Sequence, residues 1–513
     1  MRRIFIISDL HLGGRSASTV TDGPLGTRMC QAYGALIRFI DWVANQGSAD
    51  QSVELVINGD IVDFLAEDDY PDGLNARVFT PNQKDVLTKL SHIFAATRLR
   101  TDAGGERGVL ESLAGLLRAG GSLTLMLGNH DVELALPEVR DWLVDKLGGP
   151  SSRLRFFYDG EAYRIGQLLI EHGNRYDRWN QIDHSALRQE RSMLSRGLRI
   201  DEKHRSRYFF VPPAGTHLVI HFMNRIKARY RFVDLLKPET GAVIPLLAAL
   251  EPDYLPTLNQ VLQAVPIGLS WMMHGLVDDV MPRRPGDLAG GTGQDLAGVL
   301  LDELGPSAAL FPLPLIPMDG NMAGGVDGLL YRAQRWLETA ASQLVAQPSS
   351  LLTWLMNKSD EQRLRQLHAA LWRVSRKDQA FDPTKEDDEY LNAARKLRSE
   401  GPARCVVFGH THLPKQIREG ELTYLNTGTW ADVIRLPKLT GNFAADLVGL
   451  TPFVEAMANN TLDKYICRYL SFAEIELDAH GDVVKDNGEL RARVHSFCGS
   501  GRERAPMLTP HSL

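Results

Sequence analysis

Five short apolar runs are spread along the 513-residue chain. Within two residues of the end of each run there is an aspartate, an asparagine or a histidine. A continuous apolar run of this length is typical of a strand that is buried on both faces. Helical patterns at Ala32–Ala44 and Val109–Arg118 separate the early runs, and further strands are predicted at Leu422–Leu425 and Tyr469–Leu477. This alternation predicts an α/β fold built of layers. The five runs are Arg3–Ser8, Val53–Asn58, Leu123–Leu127, Leu168–Glu171 and Cys405–Phe408.

Between about residues 178 and 400, helical patterns replace the strand patterns. The clearest helix begins at Ser359, with Gln362 as its capping partner and leucines at helical spacing after it. A chain of this length is too long for one compact core. We therefore predict a core formed by 1–177 and 401–480, a mainly helical insertion or cap at 178–400, and a C-terminal extension at 481–513 whose end is disordered.

Composition limits the partners and the compartment. The formal net charge is −6 and the sequence pI is about 6.2, so no overall positive field attracts the chain to nucleic acid or acidic lipid. The four cysteines are widely spaced, which predicts free thiols in a reducing compartment. The N-terminal apolar run is too short for a signal peptide, and no stretch reaches the roughly 18 apolar residues of a membrane span. We therefore expect a cytoplasmic protein.

The residues that follow the apolar runs form five polar motifs at predicted strand ends. In an open α/β sheet, ligands bind in the crevice beyond the carboxyl ends of the strands. Carboxylate oxygen and imidazole nitrogen together suit divalent manganese, iron or zinc. One such motif occurs by chance in many proteins, but five in succession indicate a metal site. The motifs are Asp9-Leu-His11, Gly59-Asp-Ile-Val-Asp63, Gly128-Asn-His-Asp131, His172-Gly-Asn174 and Gly409-His-Thr-His412.

The order of these motifs resembles that of the calcineurin-like metallophosphoesterases, over residues 1–177 and about 401–477. The resemblance implies a layered sandwich, with two sheets flanked by helices, into which the large helical segment is inserted. It also implies two divalent metal ions, manganese being favoured and iron or zinc being the alternatives. One ion would be held by Asp9, His11 and His412, the other by Asn129, His172 and His410, with Asp60 shared between them.

The resemblance further implies roles for two residues outside the ligand set. His130 would face the leaving group, and Asp63 would orient it. Two ions about 3.5 to 4 Å apart neutralise phosphoryl oxygens and make a bridging hydroxide available, so no serine or cysteine nucleophile is needed. An imidazole that binds no metal can then protonate the departing oxygen. We expect hydrolysis of a phosphodiester, phosphomonoester or pyrophosphate bond. Asp131 is as readily a capping or supporting residue and receives no catalytic role.

Differences between this chain and the subtypes of the superfamily narrow the choice of substrate. Phosphoprotein phosphatases carry arginine where this chain has Phe64 and Leu127, which argues against a phosphoprotein substrate. The segments Gly59–Phe64 and Leu425–Trp430 are similar to those of bacterial UDP-2,3-diacylglucosamine diphosphatases. The opening motif also occurs in nuclease subunits of double-strand-break repair complexes, which carry their cap after the catalytic half. A phosphorylated small-molecule or lipid-linked substrate is therefore preferred. A metal-dependent nuclease is the alternative, and an inactive binding module comes third.

The insertion is expected to govern the choice of substrate. Basic residues alternate with aromatic ones between 203 and 232, a pattern that could bind a nucleotide diphosphate, a nucleic-acid strand or a phospholipid head group. A solvated helix face with its aromatic residues in the core explains the pattern equally well. Val243–Leu250 and Val261–Met273 could line a lipid-sized pocket or make peripheral contact with a membrane, although such segments are more often core helices. The sequence leaves the oligomeric state open. The candidate substrate-binding residues are Arg205, Arg207, Arg225 and Arg229.

Overall fold

The computed structural model of the chain describes residues 1–15, 28–66, 79–101, 104–177, 180–198, 200, 210–213, 381–459 and 461–498. It also describes short segments between 215 and 237, between 364 and 372, and at 503–506. The chain divides into two compact units. Unit 1 comprises Met1–Thr216, Gln379–Asp432 and Cys467–Leu513, and unit 2 comprises His217–Asp378 and Val433–Ile466.

The described residues form eight α-helices and nineteen strands. The helices are α1 (Tyr33–Ala44), α2 (Gln83–Ala96), α3 (Val109–Arg118), α4 (Pro137–Lys146), α5 (His184–Leu194), α6 (Asn224–Lys227), α7 (Asp388–Glu400) and α8 (Phe443–Ala458). The strands are β1 (Arg2–Ile7), β2 (Ser52–Asn58), β3 (Leu99–Arg100), β4 (Glu106–Arg107), β5 (Ser122–Met126), β6 (Leu154–Phe157), β7 (Tyr163–Ile165), β8 (Leu168–Ile170), β9 (Leu236–Lys237), β10 (Cys405–Phe408), β11 (Pro414–Glu419), β12 (Leu422–Thr427), β13 (Val433–Arg435), β14 (Ile466–Cys467), β15 (Ser471–Leu477), β16 (Lys485–Asp486), β17 (Glu489–Leu490), β18 (Ala492–Cys498) and β19 (Glu503–Pro506).

Two mixed sheets form the centre of unit 1. The larger has the order β19-β18-β15-β1-β2-β5-β6, in which β1, β2, β5 and β6 are parallel and β15, β18 and β19 are antiparallel to their neighbours. The smaller has the order β11-β12-β10-β8-β7, with β8, β10 and β12 parallel. The parallel strands of each sheet therefore present their carboxyl ends at one edge.

The apolar strands bury both faces because they lie in the middle of a layered core. In β1, Ile4 and Ile6 pack in the cluster between the two sheets, whereas Phe5 and Ile7 pack against the helices on the outer face of the larger sheet. Burying one such side chain contributes roughly 1.5–3 kcal/mol. Strand β10 follows the same alternation, with one face in the inter-sheet cluster and the other against α7. Unit 1 thus has the layer order helix, sheet, sheet, helix.

The predicted α/β class is confirmed, and the predicted elements of the core are confirmed with small shifts at their ends. The helix at Val109–Arg118 and the strand at Cys405–Phe408 have the predicted bounds. The strand expected over Tyr469–Leu477 begins two residues later, at Ser471.

The division into units differs from the predicted one. Residues 433–466, expected in the core, belong to unit 2, and unit 1 continues beyond 177 to Thr216. The predicted C-terminal extension also supplies strands to the larger sheet, where β18 pairs with β15 and β19 pairs with β18. Strand β18 covers the otherwise open edge of β15, and its buried residues are Ala492, Val494 and Phe497.

Most of the predicted helical insertion lies outside the described residues. The same holds for the first part of the helix expected from Ser359, as far as residue 363. Within unit 2, β13 pairs in parallel with β9, and His368 Nε2 lies 2.7 Å from Asp446 Oδ2. Among the helices that the structure describes, none combines the length and the apolar character that crossing a membrane would require.

Helix α5 begins at a partly buried histidine, His184. Its N-cap, Asp183, accepts a hydrogen bond from Ala186 N at 2.9 Å. The His184 ring packs so closely on Gly160 that a Cβ there would clash with it. Burial, followed by the positive charges of Arg175 and Arg191, lowers the pKa of His184 to about 4.

Mild acid is therefore expected to destabilise unit 1 through His184. The unfolded chain binds this proton with a pKa near 6.5 and the folded chain only near 4, so the stability is fully present above the unfolded value and is lost as pH falls towards the folded one. The loss amounts to about 3 kcal/mol. Urea unfolding near neutral pH and near pH ~4 should show a smaller loss for His184→Gln than for the parent protein. Equal losses in the two proteins would contradict this expectation.

Candidate metal centre

The loops after β1, β2, β5, β8 and β10 carry all seven predicted metal ligands. The first three strands are adjacent and parallel in the larger sheet, and the other two are adjacent and parallel in the smaller one. Their carboxyl ends therefore bring the five loops together at one side of the sandwich. The contact between His11 and His412, whose Nε2 atoms are 2.9 Å apart, joins the loop of one sheet to the loop of the other.

One group of candidate ligands consists of Asp9, His11 and His412. His412 Nε2 lies 3.4 Å from Asp9 Oδ1, and His11 Nε2 lies 3.9 Å from the same oxygen. All three residues are buried, and one ligand atom from each lies within 4.8 Å of the others. This spacing allows three side chains to share one metal ion.

A second group consists of Asp60, His172 and His410, whose ligand atoms satisfy the same limit of 4.8 Å. His172 Nε2 lies 3.2 Å from Asp60 Oδ2, and that oxygen lies 3.8 Å from His11 Nε2 of the first group. Asp60 is therefore positioned between the two groups. Asn129 is also buried here, and within the described residues no group donates a hydrogen bond to its Oδ1. A buried amide oxygen without a donor fits a metal ion as its partner.

His130 and Asp63 form, with His11 of the first group, a third set whose ligand atoms also lie within 4.8 Å of one another. His130 Nδ1 is 3.2 Å from Asp63 Oδ1, and Asp63 Oδ2 is 3.8 Å from His11 Nδ1. The His130 ring stands edge-on to the ring of His11 with centroids 4.9 Å apart. The side chain of His130 is 19% exposed whereas that of His11 is 1% exposed, so His130 is the more open to solvent.

The backbone at this centre adopts a conformation that non-glycine residues rarely occupy. Seven described non-glycine residues have positive φ, and five of them are predicted ligands. Such conformations cost of order 1–3 kcal/mol each and persist where the surrounding structure imposes them, most often at functional sites. The five ligands are Asp9 (φ 53°), His11 (φ 42°), Asp60 (φ 50°), His410 (φ 69°) and His412 (φ 62°).

Two glycines of the motifs are required by close approach. A Cβ on Gly128 would clash with the carboxylate and the backbone nitrogen of Asp60, and a Cβ on Gly59 would clash with the ring of His172. Gly59 also has a φ of 82°, which favours glycine. Glycine therefore lets the loops after β2 and β5 approach each other closely enough to share a metal site.

The end of β12 and the loop after it support the ligands of two other loops. Thr429 Oγ1 donates to the carbonyl oxygen of Asp9 at 2.7 Å, and Asn426 Nδ2 donates to the carbonyl oxygen of Gly409 at 2.8 Å. The Ser8 hydroxyl also donates to the Asp9 carboxylate. These buried hydrogen bonds fix the backbone from which the first group projects.

Hydrogen bonds also determine which atoms remain available for a metal. His172 Nδ1 lies 2.7 Å from the carbonyl oxygen of Asn58, an acceptor, so in the neutral ring Nδ1 carries the hydrogen and Nε2 keeps its lone pair. Asp131, to which the sequence assigned no catalytic role, accepts from Ile61 N and Gly128 N, each at 2.7 Å. Asp131 thereby holds the loops after β2 and β5 together.

The charges at the centre favour a cation. Burial raises the pKa of Asp9, but the positive charges of His172 and His412 outweigh it and lower that pKa to about 2. Burial opposes the shift of Asp60 as well, yet His172 and His130 hold its pKa well below the usual range. Conversely, burial lowers the pKa of His172, while Asp60 raises it to about 10. Binding of a cation is therefore coupled to the release of a proton from the imidazole.

Ionised carboxylates, imidazoles and an amide oxygen form a donor set that suits divalent manganese, iron or zinc. In the described part of the chain, no cysteine belongs to the groups that could hold a metal ion. The residues present therefore fit the predicted kind of metal.

The predicted substrate-binding arginines are not brought to the centre by the described structure. Arg205, Arg207 and Arg229 lie outside the described residues, and Arg225 lies in α6 of unit 2 with its side chain outside the description. Conversely, Asp177 and Asn180 contact predicted ligands although the sequence analysis did not identify them. No motif indicates either residue, and their only sequence signal is their position shortly after His172.

No family model matches the chain, and no curated protein matches it. The assignment of a function therefore depends on the geometry of the metal centre and on the motifs that form it.

Proposed function

We propose that the protein is a phosphoesterase of the calcineurin-like kind that depends on two divalent metal ions. The observation that carries this proposal is the position of Asp60, whose Oδ2 lies 3.8 Å from His11 Nε2 of one group and 3.2 Å from His172 Nε2 of the other. A carboxylate between two sets of metal-binding side chains is what a two-ion centre requires. The layered sheets and the order of the motifs support the same family.

In this proposal Asp60 is shared, and manganese is the favoured ion, with iron or zinc as alternatives. When bound, such a pair of ions supplies positive charge to the phosphoryl oxygens and acidifies a water molecule for attack near neutral pH. The chain contributes ligands that are already held by buried hydrogen bonds, so little rearrangement accompanies binding. The remaining ligands are Asp9, His11 and His412 for one ion, and Asn129, His172 and His410 for the other.

His130 is assigned the protonation of the leaving oxygen, and Asp63 is assigned its orientation. The carboxylate of Asp63, 3.2 Å from His130 Nδ1, can accept the hydrogen of that nitrogen and so fix the orientation of the ring. Nε2 of the same ring can then donate to the departing oxygen. The exposure of His130 supports this role, because a substrate must be able to reach the proton donor.

We further propose that the substrate is a small or lipid-linked phosphodiester, phosphomonoester or pyrophosphate. Phe64 and Leu127, at the places where phosphoprotein phosphatases carry arginine, are buried in the core beside the helices and offer no positive charge to a phosphoprotein. The net charge of −6 gives no general attraction to nucleic acid, which weighs against the nuclease alternative.

The proposed function is tested by removing metal with a chelator, reloading with Mn²⁺ and assaying a panel of phosphomonoesters, phosphodiesters, nucleotide pyrophosphates and oligonucleotides. Hydrolysis of a small ester or pyrophosphate is expected only in the reloaded protein. Cleavage of oligonucleotides with a steep dependence on salt would favour the nuclease alternative. A protein that binds two ions and hydrolyses no member of the panel would contradict the proposal.

A further inference from the structure

Asp177 and Asn180, shortly after His172, lie against the second group of candidate ligands. A short 3₁₀ turn over Asn174–Tyr176 follows Gly173, whose φ is 108°. Asp177 comes next, and its Oδ2 lies 2.9 Å from His410 Nε2. The two residues are 233 positions apart in the chain, so the fold alone brings them together.

Asn180 extends this contact to a second ligand. Its Nδ2 donates to Asp177 Oδ2 at 2.7 Å, and its Oδ1 accepts from Asn129 Nδ2 at 3.3 Å. The position of Asn180 is fixed in turn, because its carbonyl oxygen accepts from Asn174 Nδ2 at 2.8 Å. One segment thus contacts ligands from the loops after β5 and β10.

Each of these contacts occupies one polar atom of a predicted ligand, and the other polar atom of that side chain remains available for a metal ion. The amide of Asn129 gives its hydrogen to Asn180, which leaves Oδ1 as the atom that can bind a cation. If His410 Nε2 carries the hydrogen that faces Asp177, its Nδ1 keeps the lone pair. His172 is held in the same way by Asn58, as described above. A carboxylate that accepts from a metal-binding imidazole orients the ring and increases its basicity.

We propose that Asp177 is a positioning residue for the second metal ion, acting through His410, and that Asn180 places Asn129 in the same group. This inference rests on the proposed two-metal function. A contribution to fold stability alone is a weaker account, because the contacts of Asp177 and Asn180 both fall on predicted ligands, His410 and Asn129.

The test is the binding of Mn²⁺ alone to the metal-free full-length protein. Binding is measured by calorimetry and by the electron paramagnetic resonance signal of coupled Mn²⁺ pairs. Asp177→Asn should weaken the second ion about 10- to 100-fold and leave the first ion unchanged. Retention of the first ion shows in the same experiment that the variant is folded. Asp183→Asn is the matched control, because it makes the same change at the N-cap of α5, where asparagine caps as well as aspartate.

A double-mutant cycle separates action through His410 from independent metal binding. His410→Ala should weaken the second ion, and adding Asp177→Asn should weaken it no further. An unchanged second affinity in Asp177→Asn, or a full additional loss in the double variant, would overturn the inference while leaving the phosphoesterase proposal intact. A parent protein that binds two ions but hydrolyses nothing would overturn the proposed function alone. A parent protein that binds no second ion would overturn both.

Discussion

Replacing Asp60 with alanine is expected to remove most of the bound metal and to lower hydrolysis at least about 10³-fold, which corresponds to roughly 4 kcal/mol. Asp60 Oδ2 lies close to an imidazole of each group, and Oδ1 accepts from His130 N at 2.8 Å. Removal of this carboxylate deprives both ions of their shared negative charge. Elemental analysis of the purified variant, together with its turnover rate, measures the two losses separately.

Asp432→Ala provides the matched control for this variant. Asp432 is also a buried carboxylate of unit 1, but it pairs with Arg468 and belongs to neither ligand group. It should lose stability and keep its metal. Full metal occupancy in Asp60→Ala would rule out Asp60 as the shared ligand, whatever happened to the rate.

The core of the fold could be predicted because its central strands are apolar without interruption. A run such as Ile4–Ile7 can bury all of its side chains only between two layers. In the structure, its alternate residues pack in two different apolar clusters. The strands at the edges give weaker signals. Strand β18 mixes arginine, histidine and serine with its buried residues, and its place beside β15 depends on a pairing that local pattern does not specify.

The candidate site divides in the same way. Its ligands follow strand ends in motifs that can be read along the chain. In the structure, six of the seven predicted ligands belong to the groups of Asp9, His11 and His412 and of Asp60, His172 and His410. Asp177 could not be identified from the sequence, because its importance depends on its contact with His410, which only the fold creates. The positive φ of residues such as His11 was equally hidden, since asparagine, aspartate and histidine are enriched in that conformation but still adopt it only uncommonly.

Replacing His130 with alanine is expected to leave both metal ions in place and to slow hydrolysis of an ester with a poor leaving group about 10²- to 10⁴-fold. His130 contacts Asp63 and stands beside His11, yet it belongs to the leaving-group side in the proposed mechanism. An alkoxide leaves slowly unless it receives a proton, whereas p-nitrophenolate leaves readily without one. The loss on a p-nitrophenyl ester should therefore be much smaller.

The measurement for His130 is the rate across a series of esters whose leaving groups differ in pKa. The rate of the alanine variant should fall more steeply than that of the parent as the leaving-group pKa rises, because the proton donor is absent. His495→Ala serves as the control: its side chain is 17% exposed, close to the 19% of His130, but it lies in β18 outside the ligand groups. Equal losses for good and poor leaving groups would argue against protonation by His130. Loss of metal from His130→Ala would instead make this residue a ligand.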